Sequence, residues 1–144
     1  MSAHKKSHYS KKHSPNSRPD PEIEKEIKHQ CEKQEISCFR AFKIAEQLNV
    51  PPIEVGRTAD LMNIQVVKCQ LGLFGHTPEN KIVKAEQTSN HALQDAVTGT
   101  SENNRLTCEK AWQIADRLNI SKLKVSNVSQ ANGIKIRNCQ LGAF

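Results

Sequence analysis

The amino-acid sequence predicts a mainly α-helical protein with short β-strands, built as two tandem copies of one small unit. Three observations lead to this prediction. The 144 residues are 36% hydrophobic and 4% aromatic, a composition that suits small helical cores better than one large core. The segment 36–74 recurs in related form as the segment 106–144. Within each copy, apolar residues follow the spacing of an amphipathic helix.

The repeat is the strongest pattern in the chain. Residues 36–74 align with residues 106–144 without a gap, and 13 of the 39 aligned positions are identical. Both copies close with the same motif, CQLGxF, whose Leu and Phe we expect to seal an apolar face. The alignment divides the chain into a basic, His-rich tail expected to be disordered (1–19), a first copy (20–74), a linker (75–90) and a second copy (91–144).

Local signals place the elements of the first copy. Ser37 is a suitable N-cap for a helix over 38–48, in which Ala41, Ile44, Ala45 and Leu48 form one stripe. Asn49 tolerates the left-handed conformation that closes a helix. A second helix is predicted over about 52–62, and the alternation of residues 64–69 predicts a short strand.

The second copy meets the same local demands with different residues. Thr107 takes the place of Ser37, Asn119 that of Asn49, and Gly133 ends the last helix where the first copy has Asn63. Each copy is also expected to begin with a short amphipathic helix, which Asp20 and Pro21 would start in the first copy.

The central residues of each copy resemble the helix-turn-helix superfamily of DNA-binding domains. Ala45 and Ala115 match the small residue at the helix crossing, Asn49 and Asn119 match the turn, and Val55 and Val125 match the buried residue of the second helix. The resemblance implies a three-helix, winged-helix-like unit plus one strand, with the wing absent or formed with the other copy. From the tandem repeat we expect the two units to be related by a pseudo-twofold axis as an intrachain dimer, in a protein that acts as a monomer or as a homodimer.

The resemblance further implies that double-stranded DNA is the partner, with the second helix of the motif in the major groove. Residues 106–144 carry six Lys or Arg and two acidic residues, net +4, while residues 36–74 carry four and three, net +1. We therefore expect a transcriptional regulator whose second copy makes most contacts and whose first copy adds Arg57. The predicted contact residues of the second copy are Ser121, Lys122, Lys124, Ser126, Asn127 and Gln130.

Two cysteine pairs recur with the repeat, Cys38 with Cys69 and Cys108 with Cys139, as metal or redox candidates. Four interpretations stay open: buried thiols that only pack, a zinc ion or iron–sulfur cluster held by all four, a reversible disulfide in each copy, and thiolate catalysis. The cysteines form no CxxC pair, and no histidine lies within either repeated segment, so the sequence requires no cofactor.

Charge and missing motifs bound the function. The net charge of +6 and the pI near 9.2 favour polyanionic partners. The sequence shows neither a secretory leader nor an apolar run of transmembrane length, so a cytoplasmic protein without a membrane partner is expected. An enzyme is not expected, because phosphate-binding loops and paired catalytic acids are missing. The alternative is a protein-interaction or metal- or redox-sensing module that uses the helix-turn-helix fold without binding DNA.

Overall fold

The computed structural model describes His13, Ser14 and residues 17–144, so most of the predicted disordered tail lies outside the described residues. The chain divides into two compact units. The first unit runs up to Cys69 and includes Leu141–Ala143. The second unit consists of Gln70–Gln140 and Phe144. Most residues of each closing segment, from its Gln onward, therefore belong to the unit formed by the other copy. The boundaries predicted from the sequence, 20–74 and 91–144, do not show this.

Helices dominate both units, which confirms a mainly α fold with short strands. The first unit contains α1 (Pro21–Gln30), β1 (Glu35–Ser37), α2 (Cys38–Leu48), α3 (Pro52–Leu61) and β2 (Gln65–Val67). The second unit contains α4 (His91–Thr100), β3 (Arg105–Thr107), α5 (Cys108–Leu118), α6 (Lys122–Ala131) and β4 (Lys135–Arg137). The elements follow one another in the same order and with matching lengths in both units. No helix in the described part of the chain has both the length and the apolar character of a membrane span.

The predicted caps hold the helices where the sequence indicated. The side chains of Ser37 and Thr107 accept hydrogen bonds from backbone N–H groups at the starts of α2 and α5. Asp20 caps α1 in the same way, with Pro21 as its first residue. Asn49 and Asn119 end α2 and α5 at φ 55° and 54°, in the left-handed region.

A strand that the sequence does not predict precedes the second helix of each unit. β1 pairs with β2 in parallel, with Ser37 opposite Val67, and β3 pairs with β4 in the same register. The strand predicted over 64–69 is shorter, at 65–67, because Lys68 turns the chain with a φ of 54°. In the described residues the strands form two separate two-stranded ladders, so a wing shared between the copies is not observed.

Each core is small and aliphatic. In the first unit, Ile23, Ile27, Ile36 and Ile44 are almost fully buried, and Leu141 joins them with 1% exposure. In the second unit the corresponding residues are buried too, and Leu71 is fully buried. The closing segments thus contribute leucine side chains to the cores, as the apolar-face prediction requires. The same prediction is wrong for Phe144, whose side chain is 45% exposed.

Candidate nucleic-acid interface

The six residues predicted to face DNA lie on or next to α6 but do not share one environment. Ser121 and Gln130 are exposed, while Lys122, Lys124 and Asn127 are half-buried. Ser126 is buried, with 2% exposure. Ser121 and Gln130 are therefore the most exposed of the six residues, and Lys122 lies half-buried beside Trp112.

The prediction that Ser126 points outward is wrong. α6 has a second packed side, since the closing segment that belongs to the second unit lies against the helix at Leu123. A Cβ placed on Gly72 of that segment would come within 2.6 Å of Leu123 Cδ1. The first unit shows the same arrangement more closely, because a Cβ on Gly56 would lie 1.7 Å from the carbonyl oxygen of Leu141.

Two predicted contact residues are engaged at the start of α6. The hydroxyl oxygen of Ser121 accepts a hydrogen bond from the backbone N–H of Lys124 and thereby caps the helix. The ammonium of Lys122 lies 4.4 Å from the ring centroid of Trp112, a distance suited to a cation–π interaction. Within the described residues, the Lys122 ammonium has this ring contact and forms no ion pair with a carboxylate.

Residues 82–86, which we call the linker arm, run along α6 and occupy its polar side chains. Lys84 N–H donates to Asn127 Oδ1 over 2.9 Å, and Asn127 Nδ2 donates to Glu86 Oε1 over 3.1 Å. The backbone N–H of Glu86 donates to the carbonyl oxygen of Asn127 over 3.1 Å. Glu86 also forms an ion pair with Lys124. Both ends of the Asn127 amide are therefore already used.

The charge of Glu86 is stabilised by these contacts. The hydrogen bond from Lys124, and then that from Asn127, lower the pKa of the Glu86 carboxyl below its usual range, although partial desolvation opposes them. Lys124 consequently lies beside a carboxylate that a DNA phosphate would have to replace.

Arg57, the contact residue predicted in the first copy, is also engaged. Its guanidinium donates to Glu54 Oε1 through two nitrogens, at 3.1 and 3.2 Å, and to the carbonyl oxygen of Arg18 at 3.1 Å. His13 Nε2 lies 2.9 Å from Asp60 Oδ2 on the same helix. The described residues before α1 thus lie along α3, as the linker arm lies along α6.

The cysteine pairs are brought to the same end of each ladder. Cys38 follows β1 directly and Cys69 comes shortly after β2; Cys108 and Cys139 have the same relation to β3 and β4. All five cysteines of the chain are thiols. Three of the four repeated cysteines are buried, Cys139 is half-buried, and Gln140 Nε2 donates to Cys108 Sγ over 3.5 Å. Burial of this kind is typical of packed thiols.

Metal binding has no ready site in the described residues. They contain no group of three or more His, Cys, Asp or Glu side chains placed to hold a metal ion. Zinc or an iron–sulfur cluster therefore stays a prediction from the sequence, without geometric support.

A basic cavity that the sequence does not predict lies beside β3 and β4. Its volume is about 370 Å³, and three cationic side chains line it, those of Arg105, Lys110 and Arg137. The remaining lining residues are Thr100, Glu102, Asn103, Leu106, Thr107 and Asn138. A signal was available in the alignment, because Arg105 and Arg137 replace Glu35 and Val67 of the first copy.

Comparisons with known proteins assign no family to this arrangement. No protein-family model, curated protein or solved structure matches the chain.

Proposed function

We propose that the protein binds double-stranded DNA through its second unit and acts as a transcriptional regulator. The observation that carries the proposal is the composition of α6, KLKVSNVSQA, which contains two lysines and no acidic residue. The corresponding helix α3, PIEVGRTADL, contains Glu54 and Asp60. Positive charge and amide side chains on one short helix are the groups that contact phosphates and base edges.

The local geometry supports the helix-turn-helix part of the proposal. α5 and α6 are joined by a short turn in which Asn119 is left-handed and Ser121 caps the next helix. Ala115 and Val125 are buried, as the resemblance requires of the residues that pack the two helices. The matching order and lengths of the elements in the two units support the further proposal that the chain is a tandem duplication of this unit.

Because some of the predicted contact residues are buried or already bonded, fewer of them are proposed to contact DNA. Lys122 and Gln130 are the principal candidates, for a phosphate and a base edge respectively. Lys124 contributes less because Glu86 compensates its charge. Ser126 is excluded by its burial, and Asn127 by its hydrogen bonds to the linker arm.

Salt-dependent duplex binding tests the proposal. Fluorescence anisotropy with a labelled duplex should show an affinity that falls linearly on a log–log plot against salt concentration. Lys122→Glu should weaken binding by about tenfold at low salt, because it replaces an attractive phosphate contact by a repulsive one. The matched control is Lys25→Glu, the same charge change at an exposed position of α1, with an expected loss of about threefold or less.

Two results would reject this function. One is the absence of duplex binding at low salt, and the other is an equal loss in the Lys122 and Lys25 variants. Equal losses would mean that only the net charge of the chain matters.

A further inference from the structure

We propose that the cavity beside β3 and β4 binds a phosphate group. This basic cavity is lined by Arg105 from β3, Lys110 from α5 and Arg137 from β4. Its volume of about 370 Å³ lies within the range of small-ligand sites. None of these residues belongs to the proposed DNA-contact set on α6, so the inference does not depend on the proposed function.

The three cations of the basic cavity lack a counter-charge. In the described part of the chain, the side chains of Arg105, Lys110 and Arg137 form no ion pair and donate no hydrogen bond to another residue. Glu102 also lines the cavity, but among the described residues its carboxylate forms no ion pair with any of them. Three cations and one carboxylate leave a local charge of +2. Arg105 and Arg137 are exposed and Lys110 is half-buried, so solvent screens their mutual repulsion and all three side chains can reach a bound anion.

The first unit provides the internal comparison. Its corresponding cavity, of about 380 Å³, is lined by Lys33, Arg40 and Lys68 together with Glu32 and Glu35, a local charge of +1. Arg40 is held there by Glu32 Oε1 at 3.7 Å and by the carbonyl oxygen of Gln30 at 2.9 Å. The cavity of the first unit thus contains an ion pair between two of its lining residues, whereas the described residues that line the basic cavity of the second unit form none.

The side chains of the basic cavity suit phosphate in particular. Two guanidinium groups offer paired N–H donors with the spacing of phosphate oxygens, and the lysine adds a mobile point charge. The hydroxyl of Thr107 also lines the cavity and can donate, because its oxygen already accepts from the backbone N–H of Lys110. Charge-assisted bonds of this kind are about twice as strong as neutral ones.

NMR titration of the full chain with inorganic pyrophosphate tests the inference. Saturable shifts are expected for the amides of residues 103–110 and 137–138, and much smaller ones for residues 33–40 of the first unit. Arg137→Val, which introduces the residue of the first copy, should weaken pyrophosphate binding by about tenfold. Lys25→Glu, at an exposed position of α1 outside both proposed sites, should leave it unchanged. A thermal melt checks that both variants are folded.

A gain-of-function variant excludes the explanation that pyrophosphate binding is lost only because a variant folds differently. Glu35→Arg combined with Val67→Arg copies the basic cavity into the first unit, and should produce pyrophosphate-dependent shifts at residues 33–40. Equal shifts in both cavities of the wild type, or wild-type affinity in Arg137→Val, would overturn the proposal.

Competition with a duplex separates the two sources of phosphate. If saturating pyrophosphate leaves duplex binding unchanged, the cavity serves a small phosphorylated molecule. If pyrophosphate displaces the duplex and Arg137→Val weakens duplex binding, the cavity holds a backbone phosphate of DNA. Both results support a phosphate site. A protein that binds pyrophosphate and no duplex would retain this inference while losing the proposed function.

Discussion

Gly56 occupies the middle of α3, where the backbone of Leu141 leaves no space for a side chain. A Cβ would lie 1.7 Å from the Leu141 carbonyl oxygen and 2.6 Å from its carbonyl carbon. Gly56→Ala should lower the free energy of unfolding by about 2 kcal/mol, because the forced displacement outweighs the helix propensity that alanine adds. Urea denaturation measures the change.

Gly99 is the matched control for Gly56. It also lies in a helix, α4, but no atom stands within 4 Å of a Cβ at that position. Gly99→Ala should raise the free energy of unfolding by about 0.5 kcal/mol. If both alanines stabilise the protein, the close approach of Leu141 to α3 does not exist in solution.

Ser129 carries a buried hydroxyl that has no hydrogen-bond partner in the described structure. The residue is fully buried in α6, and its counterpart in α3 is Ala59, which is fully buried as well. Ser129→Ala should therefore raise the free energy of unfolding by about 1 kcal/mol, since it removes an unsatisfied polar group. The reverse change, Ala59→Ser, should lower it by about the same amount in thermal or urea unfolding. A loss of stability in Ser129→Ala would indicate a bonded hydroxyl.

At the scale of elements, the linker arm connects stability to pH through Glu86. Its pKa is lowered in the folded protein by Lys124 and Asn127, so the ionised form favours folding. The sign follows from linkage: the contribution is present above the ordinary carboxyl pKa of about 4.5 and is lost as the pH falls through the lower folded value. Glu86→Gln should lose this part of the acid dependence, measured as urea midpoints between pH 7 and pH 3.

The control for Glu86 comes from the same linker. Glu79 is exposed, and Glu79→Gln should leave the difference between the two midpoints unchanged. Identical pH profiles for Glu86→Gln and the wild type would show that the arm is not bound to α6.

Which elements the sequence could predict depends on how local their signals are. The caps at Ser37 and Thr107 and the left-handed Asn49 act within one helical turn, and the predicted bounds of helix α2 match the observed ones. β1 and β3 were missed because each has three residues and one buried side chain, too few for an alternating pattern. Their partners are also distant in the sequence, since Ile36 pairs with Val66 across a turn and two helices.

The candidate site was harder to predict for the same physical reason. Ser126 is polar and lies next to the helical stripe, so the sequence does not distinguish it from an exposed residue, although its exposure in the folded unit is 2%. Two further features also depend on tertiary contacts and could not be predicted from the sequence. The linker arm brings the carboxylate of Glu86 to Lys124 of α6, and the pairing of β3 with β4 brings Arg105 and Arg137 to one cavity. The position of the lysines on α6 could be predicted, because the signals for the helix and for its polar residues both lie within the segment itself.

At the scale of the whole molecule, each compact unit contains residues from the closing segment of the other copy. The first unit includes Leu141 and Gly142 of the second copy. Leu141 is 1% exposed, and a Cβ added to Gly142 would lie 2.9 Å from Ile53 Cδ1. Leu71, which is fully buried, belongs to the second unit. The unit boundaries therefore differ from those of the two copies that the sequence predicts, because each unit includes residues from the closing segment of the other copy.

This exchange predicts that a mutation in one copy loosens the helix of the other. Leu141→Ala should cost about 3 kcal/mol and should reduce amide protection in α3, although it lies in the second copy. Leu71→Ala is the matched variant and should reduce protection in α6. Hydrogen exchange resolved by peptide distinguishes the two. Loss of protection in α6 from Leu141→Ala, with α3 unaffected, would show that each closing segment packs on its own copy, and deletion of 141–144 would then leave α3 intact.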